Sequence, residues 1–162
     1  MKKPISLFWF CFVFSAGVLM AQPYQSAIGA RIGFGSGITY KTFLNPSSAV
    51  ELIAAYQLDS KGYSFTGMYE FHNYRILRTS SLAIIFGVGA HLGHYTGGYY
   101  KNRRGIIYAD KVTTFGLDGM LGLDFCEPGS RLNWTIDVKP VFDFVNPGFR
   151  FWDGAISVRY AF

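Results

Sequence analysis

Strict alternation of apolar side chains with small or polar ones recurs along most of the chain, and it constrains the fold more than any other feature. The clearest example is Leu82–Leu92, where Phe86 and Val88 alternate with Gly87 and His91 is among the intervening residues. A period of two is that of a β-strand, whose successive side chains point to opposite faces. The helical period of about 3.6 residues is competitive nowhere. The sequence therefore predicts an all-β protein.

Eight segments carry the alternation, and turn-forming residues separate them. The predicted strands are Tyr24–Phe34, Ile38–Leu44, Val50–Tyr56, Tyr63–Phe71, Leu82–Leu92, Thr113–Phe125, Leu132–Phe144 and a last strand that contains Ala155–Phe162. The predicted connections are Gly35–Gly37, Asn45–Ser48, 57–62, 72–80, 94–111, 126–131 and 145–152, of which 72–80 could extend either neighbouring strand. Eight is an even number, as single-chain bacterial membrane barrels require. The sequence thus predicts an eight-stranded antiparallel up-and-down transmembrane β-barrel, although Ile38–Leu44 and Val50–Tyr56 are shorter than the roughly ten residues that cross a bilayer.

The face of each predicted strand that points away from lipid carries charge. Eight strands enclose an interior just wide enough to be filled by side chains, and buried charges must pair because an unpaired one is costly. We therefore expect a polar, side-chain-filled interior rather than an open pore. A selectivity lining or a proton path is the alternative. The predicted interior network is Arg31, Lys41, Glu51, Glu70, His91, Asp118, Asp124, Asp137, Lys139 and Arg159.

The amino-terminal segment has the pattern of a cleaved secretory signal peptide. Lys2 and Lys3 precede an apolar run over 5–19, and cleavage after Ala21 would release one domain over 22–162. An uncleaved anchor is the alternative.

The released domain contains one cysteine, Cys126, in a turn-like stretch, so it has no internal disulfide. The formal charge of +5 for the whole chain is small and evenly spread, which argues against nucleic acid as a partner.

Catalytic and metal-binding patterns are absent from the sequence. No nucleophile stands beside a histidine in the arrangement that hydrolysis requires, and no G-x-S-x-G elbow is present. His91 and His94 are three residues apart, which on a strand places their side chains on opposite faces, so a shared metal is not expected. His72 falls in a connection. The sequence predicts no catalytic residue, no metal and no cofactor.

The longest predicted connection combines tyrosines with cations. Such a loop is a candidate surface for lipopolysaccharide phosphates, or for an extracellular protein or glycan. The simpler interpretation, which we favour, is an interfacial girdle that meets anionic headgroups. The residues of this candidate surface-binding loop are Tyr95, Tyr99, Tyr100, Lys101, Arg103 and Arg104.

Two segments resemble a known family. Gly37–Lys41 leading into Phe43–Pro46, together with the ending Arg159–Phe162, makes the chain similar to the small eight-stranded outer-membrane β-barrel proteins of the outer membrane protein beta-barrel domain type. In such families an ending like Tyr160-x-Phe162 resembles the signal read by the barrel-assembly machinery. The resemblance implies a barrel that the assembly machinery inserts and that usually lacks a known activity, and it assigns no catalytic residue. The location expected for this porin-like barrel is the outer membrane of a Gram-negative cell, with outer-membrane lipids and lipopolysaccharide as partners.

Two function classes follow from these observations. The first is a non-enzymatic integral outer-membrane protein with a structural role or a role in presenting loops to partners. The second is a lipid-modifying hydrolase or acyltransferase, or a narrow pore, that uses the inward carboxylates with His91 and His94. If the amino terminus lies in the periplasm, the connections near 35–37, 57–62, 94–111 and 145–152 face outside, so that the longest loop is external, as is usual in such barrels.

Overall fold

The structure, a computed structural model, describes residues 24–96, 98, 101, 105–107, 110–145 and 148–162, and of 148–152 it describes the backbone alone. The predicted signal peptide and four residues of the candidate surface loop, Tyr99, Tyr100, Arg103 and Arg104, lie outside the described residues. Within the described part of the chain, no helix is long and apolar enough to cross a membrane.

Eight antiparallel strands close into a barrel in the order in which they occur in the chain. The ring closes where Ile28 of the first strand pairs with Tyr160 of the last. Every strand therefore has a partner on both sides, and no edge is left open. This topology confirms the predicted eight-stranded up-and-down barrel. The strands are β1 (Ser26–Gly33), β2 (Gly35–Asn45), β3 (Ser48–Gln57), β4 (Gly62–Asn73), β5 (Leu82–Tyr95), β6 (Val112–Cys126), β7 (Leu132–Asp143) and β8 (Gly148–Ala161).

The predicted turn at Gly35–Gly37 is wrong, because these residues begin β2. Gly37 pairs with Arg31 on one side and with Ala55 on the other. A Cβ atom at Gly37 would overlap the carbonyl oxygen of Ala54. Here glycine permits a close approach of neighbouring strands and does not reverse the chain, which turns instead at Phe34.

Other strand boundaries also differ from the prediction. β2 and β3 have 11 and 10 residues, so neither is too short to cross an apolar layer. β4 continues to Asn73, and β8 begins at Gly148, inside the predicted connection 145–152. The alternation missed these ends because polar residues and glycines pair in the ladder as readily as apolar ones. The turn after β2 was predicted correctly, and there the backbone N–H of Ser47 donates to Oδ1 of Asn45 at 3.0 Å.

Burial is inverted relative to that of a water-soluble domain. The largest fully buried side chains include Arg31, Arg159 and Lys41, whereas Phe65 and Val88 on the outer wall are each 62% exposed. The interior is thus polar and filled with side chains, which confirms the predicted type of interior. An outer wall with this much exposed apolar surface calls for an apolar surrounding.

Two apolar clusters divide the interior. We call the end of the barrel that carries Tyr24 and Phe162 the terminal end, and the opposite end the far end. One cluster closes the terminal end and includes Tyr24, Phe43 and Cys126. The second includes Met68 and Met120, and because Met120 stands between Asp118 and Asp124 on β6, this cluster separates two groups of charges.

Candidate functional site in the barrel interior

The first group of charges, the terminal cluster, is centred on Lys41. The Nζ atom of Lys41 lies 2.8 Å from Oε2 of Glu70, 3.2 Å from Oδ1 of Asp124 and 3.8 Å from Oε2 of Glu51. All four side chains are at most 2% exposed. These residues come from the consecutive strands β2, β3 and β4 and from β6, so the cluster connects β6 to strands that are not its neighbours in the ring. One ammonium group surrounded by three carboxylates needs further positive charge or donors nearby.

Arg159 of β8 supplies that charge. Its guanidinium group pairs with Glu51, and its Nη1 donates to Oδ1 of Asn133 at 3.0 Å and to Oγ1 of Thr135 at 2.6 Å. Its Nε donates to Oγ1 of Thr39 at 3.3 Å. The planar fork of arginine can satisfy several acceptors at once, which suits it to a buried position. Arg159 thus connects its own strand to β2, β3 and β7.

His72 also belongs to the terminal cluster, although the sequence placed it in a connection. It is 4% exposed, and its Nε2 lies 3.1 Å from Oε2 of Glu70. Its Nδ1 lies 3.8 Å from Oδ2 of Asp124. The two-residue period of a strand could have predicted this position, because His72 follows Met68 and Glu70 in steps of two and therefore faces inward.

A further ion pair beside these charges joins β1 to β7 over the intervening strand β8. Arg31 of β1 donates through Nη1 and Nη2 to the two carboxylate oxygens of Asp137 of β7, each at 2.7 Å. Both side chains are at most 1% exposed. The two parallel hydrogen bonds form the bidentate geometry that makes arginine–carboxylate pairs strong and directional.

The second group of charges, the far cluster, is built around His91. Oδ1 of Asp118 lies 2.7 Å from its Nδ1, and Oδ1 of Asp143 lies 2.8 Å from its Nε2. A doubly protonated imidazolium can donate to both carboxylates at once. Lys139 completes the cluster, with its Nζ 3.4 Å from Oδ2 of Asp118 and 3.3 Å from Oδ2 of Asp153.

All ten residues of the predicted interior network lie inside the barrel, at most 7% exposed. They do not form one network, since they fall into the terminal cluster, the Arg31–Asp137 pair and the far cluster. Sequence reasoning missed His72, Asp143 and Asp153 as members. With Asp143 and Asp153 included, the described interior holds more carboxylates than lysines and arginines. The carboxylates are Glu51, Glu70, Asp118, Asp124, Asp137, Asp143 and Asp153.

The histidines do not converge on one site. His91 lies inside, whereas His94 is exposed on the outer wall with its Nδ1 2.9 Å from Oγ1 of Thr113. Among the described residues, no three His, Cys, Asp or Glu side chains are placed to hold a metal ion. Cys126 lies in β6 and is 1% exposed, so it is part of the wall and not of a turn.

The candidate surface loop is described only in part. Tyr95 is the last residue of β5 and is 2% exposed, so its side chain points inward and is not part of an outer surface, which corrects that prediction. Lys101 is exposed and forms an isolated bridge with Ile107. At the carboxyl end, Nη1 of Arg131 donates to the hydroxyl oxygen of Tyr160 at 2.7 Å, and Phe162 is 65% exposed.

Comparison with solved structures identifies a similar fold. The N-terminal β-barrel domain of Pseudomonas aeruginosa OprF matches with a TM-score of 0.61 and 12% identity, over 85% of this chain and 94% of that one. No model of a known protein family matches the chain, and no curated protein matches it. At this identity the likeness shows the fold. It confirms the resemblance to small eight-stranded outer-membrane barrels at that level.

Proposed function

We propose that the chain is a non-enzymatic integral protein of the bacterial outer membrane, with a structural role or a role in presenting its far-end loops. The observation that carries the proposal is the inverted burial. Ile32, Val88 and Phe65 are more than half exposed on the outer wall, while Arg31 and Lys41 are buried inside. A bilayer satisfies such a wall, and a closed barrel is one of the two folds that satisfy every backbone group in lipid.

The packing of the interior supports a plugged barrel and not a porin. The side chains of Arg31, Lys41 and Arg159 are each paired with carboxylates and at most 1% exposed. An ion crossing the lumen would have to separate these pairs, and separating a buried pair costs roughly 3–5 kcal/mol. The C-terminal Tyr160 and Phe162 are proposed, by resemblance, as the signal for the assembly machinery.

Membrane insertion is tested with the full chain expressed in a Gram-negative host. We expect the protein to fractionate with the outer membrane without its first 21 residues, and to migrate as a compact form in unheated gel samples. A protein that stays soluble and monomeric without detergent would refute the proposal. In planar bilayers we expect no steady porin-like current, and a large reproducible conductance would replace the structural role by that of a pore.

The non-enzymatic part of the proposal has its own test. The lipid A and phospholipid profiles of a strain that lacks the gene should match those of the parent strain. A changed acylation pattern that the intact gene restores would favour the lipid-modifying enzyme instead. His91→Asn and His94→Asn, complemented separately, would then show whether either histidine takes part.

A further inference from the structure

The outer wall formed by β1, β2, β3 and β4 contains an apolar groove of about 340 Å³. Its sides are well exposed, with Ile38 at 63% and Phe65 at 62%, and Ala54 and Gly67 are its smallest lining residues. None of the described residues that line it is charged. The outward side chains that line the groove are Ile28, Ile38, Tyr40, Leu52, Ala54, Phe65 and Gly67.

No close steric contact requires a glycine at position 67. At the inward positions Gly29 and Gly116, a Cβ atom would overlap the carbonyl oxygen of a neighbouring strand. A Cβ atom at Gly67 would meet only Cδ2 of Leu52, at the ordinary contact distance of 3.8 Å. The barrel therefore tolerates a side chain at this position, and what a side chain would remove is the groove itself.

Along β1 and β2 the groove becomes polar on its terminal side. Ile28 pairs with Tyr40 in the ladder, and the next outward pair toward the terminal end is Ser26 with Thr42. Oγ of Ser26 lies 3.0 Å from Oγ1 of Thr42, and the hydroxyl of Tyr40 donates to Oγ of Ser26 at 3.4 Å. Three hydroxyl groups thus form a small hydrogen-bonding cluster where the apolar groove ends.

An apolar groove that ends at a cluster of hydroxyl groups is complementary to an amphiphile in one orientation. An extended apolar chain would occupy the space between Ile38, Leu52 and Phe65, where an unfilled gap forfeits dispersion contacts with the wall. A polar group with acceptor oxygens would then meet the hydroxyls of Ser26 and Thr42. An ester-linked glycerol has such acceptors, at the boundary between hydrocarbon and water.

We propose that the groove binds one acyl chain of a glycerophospholipid from the leaflet at the terminal end, with the ester region of that lipid at the hydroxyls of Ser26, Thr42 and Tyr40. The proposal rests on the proposed function, because this wall meets lipid only if the barrel is in a bilayer. Lipopolysaccharide does not fit this orientation if the far end faces outside, because its acyl chains then enter the bilayer from the far end.

The test is lipid retention, measured by native mass spectrometry on barrels extracted in a mild detergent. Gly67→Leu fills the groove, and Gly154→Leu is the matched control. Gly154 is an outward-facing strand glycine on β8, where a Cβ atom would also meet only ordinary contacts, at 3.7 and 3.9 Å, and it does not line the groove. We expect the wild type and Gly154→Leu to retain one phospholipid, and Gly67→Leu to retain it at least tenfold less.

Thr42→Val tests the polar end of the groove without changing its volume. Thr42→Val should lower phospholipid retention severalfold. This variant also tests the groove proposal if Gly67→Leu does not fold. Each barrel is first checked for its compact form in unheated gels. If the wild type does not insert into membranes at all, the proposed function fails. If it inserts but retains no phospholipid, retains lipopolysaccharide instead, or keeps its phospholipid in both variants, the groove proposal alone is overturned.

Discussion

The Arg31–Asp137 pair allows the strength of the interior to be measured with a double-mutant cycle. Both side chains are at most 1% exposed, and two hydrogen bonds of 2.7 Å join them over the intervening strand β8. Arg31→Met leaves the carboxylate of Asp137 buried without its partner, and Asp137→Leu leaves the guanidinium of Arg31 in the same state. Each single substitution should reduce the free energy of unfolding by about 3–5 kcal/mol.

The double substitution should cost far less than the two single ones together. With both charges removed, no uncompensated charge stays in the interior, and replacing a buried pair by apolar side chains of similar volume is often neutral or even stabilising. The coupling free energy should therefore be at least about 3 kcal/mol, against the roughly 0.2–1 kcal/mol found for exposed pairs.

Urea titration of the barrel in detergent micelles measures these values. The indole of Trp134 on the outer wall, which is 47% exposed, provides the fluorescence signal. Arg131→Met is the control, because Arg131 is an exposed arginine that contacts Tyr160 at the terminal end, and it should leave unfolding nearly unchanged. Single-mutant losses below about 1 kcal/mol would mean that water solvates the interior charges, and the argument for a plugged barrel would fail.

Three further predictions address the wall, the glycines and the far cluster. Phe86→Arg on the outer wall should destabilise the barrel by about 2–4 kcal/mol in lipid vesicles if the position lies near the bilayer midplane, and an equal response to Met120→Gln, a substitution of similar size on the inner face, would show that the faces are misassigned. Gly29→Ala should prevent the compact gel form, because its Cβ atom would overlap the carbonyl oxygen of Val158, whereas Gly154→Ala should preserve it. His91→Phe should destabilise the barrel by about 1–3 kcal/mol in urea titration, since it removes the imidazole that hydrogen-bonds to the buried carboxylates of Asp118 and Asp143, and wild-type stability in this variant would contradict the role given to the far cluster.

The strand count and the two faces could be predicted from the sequence because one physical rule governs both. Wherever one face meets an apolar surrounding and the other a polar one, the two-residue period is explicit, as in Leu82–Leu92. Strand ends could not be predicted, because beyond the apolar layer the ladder continues without alternation. His72 illustrates this limit, since it was assigned to a connection although it continues the parity of Glu70 and lies inside.

The division of the interior charges into separate groups could not be predicted either. Alternation indicates which side of the wall a residue faces. The position of that residue along the barrel axis, and the side chain with which it pairs, depend on the register between strands. Arg31 and Asp137 are 106 residues apart and meet only because β1 and β7 lie on either side of β8 in the closed ring. The predicted turn at Gly35–Gly37 was wrong for a related reason. Glycine occurs both where the chain reverses and where strands approach closely, and the sequence alone does not distinguish the two.

Because β1 pairs with β8, the closed ring would allow the chain termini to lie at a different connection between strands. The backbone N–H of Ser26 donates to the carbonyl oxygen of Phe162 at 3.1 Å, and the N–H of Phe162 donates to the carbonyl of Ser26 at 2.8 Å. A short linker from 162 to 24 would therefore span almost no distance. A circular permutant opened between β3 and β4, at 58–61, should form the same ring with β4 as its first strand and β3 as its last.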